Sequence, residues 1–196
     1  MDKWNRICVF CGSNSGSRAS YTKTADELGR LLARSNLALV YGGGRVGLMG
    51  SIANAALKEG GEVIGVIPES LVRKEVAHTG LSDLRVVQTM HERKALMAEL
   101  SDAFIALPGG FGTLDELCEI LTWAQLGLHG KPCGVLNVEG YFDPLLALFE
   151  RAVEERFLHP RHREMLITAN DPGKLLKEMS GYEATEVEKW LTRADR

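Results

Sequence analysis

A chain of 196 residues, 45% hydrophobic and 25% charged, has the make-up of one globular domain large enough to bury a sizeable core. Its formal net charge of −3 gives no electrostatic footing for nucleic acid or for an anionic membrane surface. No apolar stretch approaches the ~20 residues of a membrane span, and Met1–Arg6 lacks a secretory apolar region, so the expectation is a cytoplasmic protein with neither membrane nor nucleic-acid partners.

Along the chain, short apolar runs alternate with longer amphipathic stretches. Ile7–Phe10, Leu37–Tyr41, Val63–Ile67, Leu84–Val87, Ala103–Leu107 and Cys133–Val138 read as strands, mostly without polar alternation, as strands buried on both faces do. Between them Tyr21–Ser35, Leu48–Lys58, Glu92–Leu100, Leu114–Leu126 and Pro144–Phe157 carry helical spacing, with Ser20 placed to cap the first. From Asp171 the tail holds two more helix candidates, and Trp190 with Leu191 marks the last as a docking helix beyond about residue 180. The β-α-β-α order predicts an α/β fold, a Rossmann-like doubly wound parallel sheet with helices on both faces, as a single domain over residues 1–196.

Ligands of such sheets bind outside the carboxyl ends of the strands. Three glycine-rich segments sit at strand ends: Gly12–Gly16, Gly42–Gly47 and Pro108–Thr113, and their convergence predicts one crevice. In the third, Pro108-Gly109-Gly110-Phe111-Gly112-Thr113-Leu114-Asp115-Glu116, the glycines allow a tight turn and close backbone approach. Thr113 is expected to open a helix whose unpaired N–H groups and dipole favour an anion, read as a phosphate. Glu116 then lies about one turn in, within reach of what the phosphate is attached to. It shares a face with Glu119, and two close carboxylates suit acid–base work or ribose hydroxyls; the plainer alternative is complementing the helix dipole. Asp115 is expected about 100° away, toward solvent or the turn.

The second segment, Gly42-x-Gly44-x-x-Gly47, matches the dinucleotide fingerprint literally, with Glu69 ~20 residues further on. It follows the second strand rather than the first, however, and no second half of about 100 residues remains for a nicotinamide and its substrate. It is read as a tight turn, or as a loop closing over a mononucleotide with Met49 or Arg45 against the base. Ser13, after the first strand, either touches the ligand or serves its own loop. Met90-His91-Glu92-Arg93-Lys94 opens a helix with two cations, unfavourable beside the dipole, which points to an anionic partner for Arg93; a solvated face, or an ion pair with Glu92 or Glu99, is the alternative.

The four cysteines and five histidines carry no metal spacing. Cys8 and Cys11 form a C-x-x-C, but Cys8 lies inside an apolar run, and Cys118 and Cys133 supply no second pair. They read as ordinary thiols in a reducing compartment.

Two of these segments carry a resemblance. Pro108–Glu116 fits P-G-G-x-G-T-x-x-E, and Met90–Lys94 fits M-H-x-R-K, the paired signatures of the LONELY GUY (LOG) family. Val9–Ser13, Val40–Gly44 and Leu121–Gly127 are similar to it too, so the likeness runs from about Ile7 to Phe157. The resemblance implies a phosphoribohydrolase that releases an N6-modified adenine and ribose 5-phosphate from cytokinin riboside 5′-monophosphates, and acts on AMP. It implies homodimers or multiples of dimers with the active site near the interface. It makes Arg93 and Glu116 the catalytic residues, and Ser13, Gly44, Met49, Met90, Arg93, Lys94, Gly109, Gly110, Gly112, Thr113 and Glu116 the substrate site. An older label of the family as lysine decarboxylases finds no support, because no lysine is evidently placed for a pyridoxal Schiff base; neither cofactor nor metal is expected. The rival from another class is a non-catalytic nucleotide sensor or carrier built on the same glycine loop.

Overall fold

In the computed structural model, which describes residues 4–72 and 77–184, seven strands form one parallel sheet in the order β4-β3-β2-β1-β5-β6-β7. The strands are β1 (Arg6–Phe10), β2 (Ala38–Tyr41), β3 (Val63–Pro68), β4 (Asp83–Val87), β5 (Ala103–Ala106), β6 (Cys133–Leu136) and β7 (Leu166–Ala169). The connecting helices are α1 (Ala19–Arg34), α2 (Gly47–Lys58), α3 (Glu69–Val72), α4 (Met90–Leu100), α5 (Phe111–Gln125), α6 (Asp143–Glu154), α7 (Pro160–Arg163) and α8 (Pro172–Ser180), with a 3₁₀ turn at Val138–Gly140.

Successive residues of β1 face opposite sides, and the core divides accordingly. Ile7 and Val9 join Leu28 and Leu32 of α1, Ile52 of α2 and Leu175 of α8 on one face. Cys8 and Phe10 join Met97 of α4 and Leu117 and Ile120 of α5 on the other. Because both faces are covered, the inner strands are apolar and buried apart from Arg6 at the start of β1. The edge strand β4 is only partly buried and pairs Arg85 with Asp83 at 2.9 Å. This is the doubly wound α/β arrangement that the element order predicts. No helix among the described residues is long and apolar enough to cross a membrane.

The elements differ from expectation in a few places. Leu166–Ala169 adds a seventh strand beside β6. The first helix starts at Ala19 with Arg18 at its N-cap and no side-chain bond there, so Ser20 lies inside it and caps nothing. Val138 leaves β6 for the 3₁₀ turn, and α6 ends at Glu154, short of Phe157, where Arg156 turns to a φ of 65°. The tail helix proposed around Trp190 and Leu191 lies outside the described residues.

Candidate active site

Three loops close on one another at the carboxyl ends of β1, β2 and β5. The Gly12 N–H donates to the Pro108 carbonyl at 3.0 Å, and the Gly12 carbonyl accepts from the N–H groups of Leu48 at 3.0 Å and Met49 at 3.4 Å. The three glycine segments thus share one crevice at the switch from β1 to β5, where doubly wound sheets place their ligands. A cavity of about 320 Å³ opens there. Of the residues expected at the substrate site, Ser13, Met49, Met90, Arg93, Gly110, Gly112, Thr113 and Glu116 line it, and Gly44, Lys94 and Gly109 do not.

Two helix N-termini meet this crevice, and they differ. In α2 the N–H groups of Leu48 and Met49 are taken by Gly12. Gly47 sits at a φ of 62°, and a Cβ on it would collide with the Ser13 backbone. The fingerprint-like loop is therefore a packed turn, and Glu69 ends up exposed on α3. Gly44 is screened by Met49, whose Cε would lie 2.8 Å from an added Cβ.

In α5 the helix begins at Phe111, two residues before the expected Thr113, with Gly110 at the N-cap and no side-chain cap. Its first backbone bond runs from the Leu114 N–H to the Gly110 carbonyl at 3.1 Å. Helix geometry leaves the N–H groups of Phe111, Gly112 and Thr113 without a partner in the helix. A Cβ added at Gly110 or Gly112 would meet nothing within 4 Å, and neither residue has a left-handed φ. Glycine at these positions answers neither a strained turn nor internal crowding; it leaves the helix N-terminus bare on the cavity side. Gly109 is the contrary case, since a Cβ there would collide with Thr113 Oγ1 and lie 2.9 Å from the Gly12 nitrogen. Gly109 thus fits the expected close approach, and the left-handed glycines of the crevice lie in the neighbouring loop, at Gly43 and Gly47.

Across the cavity, Arg93 of α4 and Glu116 of α5 form a buried ion pair. Nη1 lies 3.1 Å from Oε1, with 11% and 10% of the two side chains exposed. Arg93 Nε donates to the Val66 carbonyl at 3.0 Å and Nη2 to the Gly42 carbonyl at 3.3 Å, which fixes the guanidinium plane. A Cβ at Gly42 would displace Nη2 from this position, so glycine here leaves room for the guanidinium. Glu92 is not the partner: it closes a capping box with Thr89. Burial pushes the Glu116 pKa up, and the Arg93 charge opposes that rise.

Lys94 turns away from the crevice. Its ammonium bridges Asp115 Oδ2 at 3.1 Å and Glu119 Oε1 at 3.0 Å, tying α4 to α5. Asp115 and Glu119, one turn apart, are thus the acidic pair that acts together, and among the described residues Glu116 is the one carboxylate that lines the cavity. Burial first, then the charge of Glu116, holds the Cys11 thiol far above its ordinary pKa, so it stays protonated at the cavity wall. The described residues contain no grouping of three or more histidine, cysteine or acidic side chains that could hold a metal ion.

Leu71, Phe111, Gly12 and Gly42 also line the cavity. The last two belong to segments that the glycine spacing had marked. Phe111 occupies the variable position of its motif and is 92% exposed, and Leu71 arrives on α3 with no local signal.

The family described as "Possible lysine decarboxylase" matches residues 49–179. The chain is 52% identical over 182 residues to the probable cytokinin riboside 5′-monophosphate phosphoribohydrolase LOGL9 of Oryza sativa subsp. japonica, covering 93% of this chain and 80% of that one. It is 51% identical over 180 residues to the cytokinin riboside 5′-monophosphate phosphoribohydrolase LOG1 of Arabidopsis thaliana, covering 92% and 84%. Among solved structures it is similar to the molybdenum cofactor binding protein of Rippkaea orientalis, with TM-score 0.68 and 24% identity over 89% of this chain and 94% of that one. The molybdenum cofactor carrier protein of Chlamydomonas reinhardtii gives TM-score 0.69 at 20% identity over 90% and 98%. At these identities the structural likeness shows the fold.

Proposed function

The chain belongs to the family described as possible lysine decarboxylase, together with the phosphoribohydrolases of rice and Arabidopsis, and from that membership and the site we propose that it hydrolyses the N-glycosidic bond of cytokinin riboside 5′-monophosphates, and of AMP. The products are the free base and ribose 5-phosphate. The observation that carries this reading is that a buried Arg93–Glu116 pair and the bare N-terminus of α5 line one cavity.

The 5′-phosphate sits at the start of α5, on the free N–H groups beyond Gly110 and the Thr113 side chain. That anchor is remote from the bond that breaks, so its binding energy orients C1′. As the bond to the base lengthens, the sugar gains oxocarbenium character. Glu116, ionised, stabilises that charge, engages the ribose hydroxyls and positions water for attack at C1′. Water adds its oxygen to C1′, and the base leaves with the bonding pair and takes a proton. Arg93 holds the Glu116 carboxylate and favours departure of the base. Among the described residues Glu116 is the carboxylate that lines the cavity, so the scheme gives it the work at C1′.

The assembly proposed is a homodimer or a multiple of dimers. Its support is the exposed apolar surface at the end of α5 and on α6, where Leu126, Leu128 and Leu148 are at least 60% exposed. Four unbridged cysteines fit a reducing compartment such as the cytoplasm.

Incubation with AMP, with an isopentenyl-adenine nucleotide and with the matching nucleosides, followed by chromatography of the free base, tests the reading. Base should be released from the nucleotides and scarcely from the nucleosides. Binding without release of base would identify a nucleotide carrier instead.

A further inference from the structure

Tyr141 takes no part in the reaction described above, yet it is built toward the phosphate cradle. It stands on the segment between β6 and α6, which several contacts hold in shape. Asn137 donates through Nδ2 to Asp143 Oδ1 at 2.6 Å and accepts from the Phe142 N–H at 2.7 Å. Glu139 and Gly140 follow one another in the left-handed region, at φ 53° and 69°, a conformation that glutamate rarely adopts. The Tyr141 ring lies edge-on to Tyr21 at 5.9 Å and to Phe142 at 5.1 Å. The side chain so placed donates its hydroxyl to the Gly109 carbonyl at 2.5 Å.

That carbonyl belongs to the peptide joining Gly109 to Gly110. In a planar trans peptide the C=O and N–H point in opposite directions. Fixing the carbonyl toward Tyr141 therefore fixes the Gly110 N–H away from it. Gly110 lines the cavity and Tyr141 does not. Two glycines in succession give this peptide little resistance of its own to rotation, so the direction of the N–H depends on what holds the carbonyl.

We propose that Tyr141 is a positioning residue for the nucleotide phosphate: its hydroxyl pins the Gly109–Gly110 peptide so that the Gly110 N–H is presented to the 5′-phosphate before substrate arrives. The inference rests on the phosphate placement given under Proposed function. It adds a donor just ahead of the helix N-terminus and a residue outside both signatures that sets affinity for the phosphorylated sugar.

The test is Tyr141→Phe, which keeps the ring packing against Tyr21 and Phe142 and removes one oxygen. We expect KM for AMP to rise about three- to tenfold, the worth of one hydrogen bond, with kcat nearly unchanged. Product inhibition by ribose 5-phosphate should weaken by the same factor, while inhibition by adenine stays as in wild type. Hydrogen exchange across residues 108–113 should quicken in the free variant, with the rest of the protein unaffected. Unchanged exchange in that segment overturns the proposal, as does an unchanged ribose 5-phosphate constant or an equal weakening of adenine. If wild type binds ribose 5-phosphate no better than ribose, the phosphate placement fails, and the exchange measurement still decides whether Tyr141 holds the peptide.

Discussion

Replacing Arg93 by alanine gives the sharpest test of the buried pair, because its effect on stability has a pH dependence of known sign. Arg93 and Glu116 are about nine-tenths buried and 3.1 Å apart. Removing one partner of such a pair strands the other in a poorly solvated place and costs about 3–5 kcal/mol. The stranded group here is a carboxylate whose pKa burial already raises and Arg93 lowers. Without Arg93 the pKa in the folded state climbs further, while in the unfolded chain it keeps its ordinary value. A carboxylate raised on folding binds more protons folded than unfolded, so its contribution to stability is present below the unfolded pKa and is lost as pH rises through the folded pKa. Wild type and variant share this sign, and the variant loses more. The stability gap between them should be widest near pH 8 and should narrow toward pH 5, by about 1.4 kcal/mol for each unit by which losing Arg93 raises Glu116.

Urea denaturation followed by circular dichroism at the two pH values measures the gap, and all other titrating groups cancel in the difference. The double variant Arg93→Ala/Glu116→Gln should be less destabilised than Arg93→Ala at pH 8, and its gap from wild type should vary less with pH. Equal gaps at pH 5 and pH 8 for Arg93→Ala would refute the claim that Arg93 governs the charge on Glu116.

Glu116→Gln, which keeps shape and removes charge, should lower kcat by roughly 10²-fold or more in a protein that still folds, with a lowered melting temperature because Arg93 loses its partner charge, read from steady-state rates and thermal melts. Gly112→Ala should raise stability by up to about 1 kcal/mol, since its Cβ meets nothing and alanine favours the helix, while raising KM for nucleotides. Leu126→Glu, at a side chain 65% exposed, should leave the fold intact and shift the protein toward monomer in sedimentation, with loss of activity; an active wild-type monomer at micromolar concentration would remove the dimer. Trp123 is a poorer probe, because it packs against the core beside α5 and a charge there would disturb the fold itself.

The sheet was legible because its inner strands are buried on both faces and read as unbroken apolar runs. β7 escaped because Leu166–Ala169 is a short edge strand that includes Thr168 and follows a charged stretch at 161–164. At α1 and α5 the helix starts were misplaced by two or three residues, and there the N-cap positions are Arg18 and Gly110, which make no side-chain cap. The Arg93–Glu116 meeting was legible in part, since a cation in the first turn of a helix needs a reason to be there. The split between Glu116 and the Asp115–Glu119 pair was not. Spacing makes i,i+3 and i,i+4 neighbours alike, and the position of Lys94 on another helix decides which carboxylates share a partner. The reach of Tyr141 to Gly109 spans 32 residues and depends on two successive left-handed residues, one of them a glutamate, which no local pattern announces.

The distribution of stabilising and destabilising features separates site from scaffold. Over most of its elements the chain uses its groups on itself: the α2 N-terminus is capped by the Gly12 carbonyl, α4 carries a capping box, and the α1–α2 contact admits no side chain at Gly29. At α5 the same chain does the reverse. It leaves the α5 N-terminus uncapped, places glycine at a helical position that alanine would fit, and holds a carboxylate where burial opposes its charge. A buried ion pair is weak support for a fold, and apolar residues of similar volume often serve as well or better. None of these choices is explained by folding, and all of them face one space of about 320 Å³. A phosphate on the bare N–H groups and a developing positive charge beside Glu116 would relieve both departures at once, which is the electrostatic pattern required of a site that binds a sugar phosphate and breaks its bond to a base.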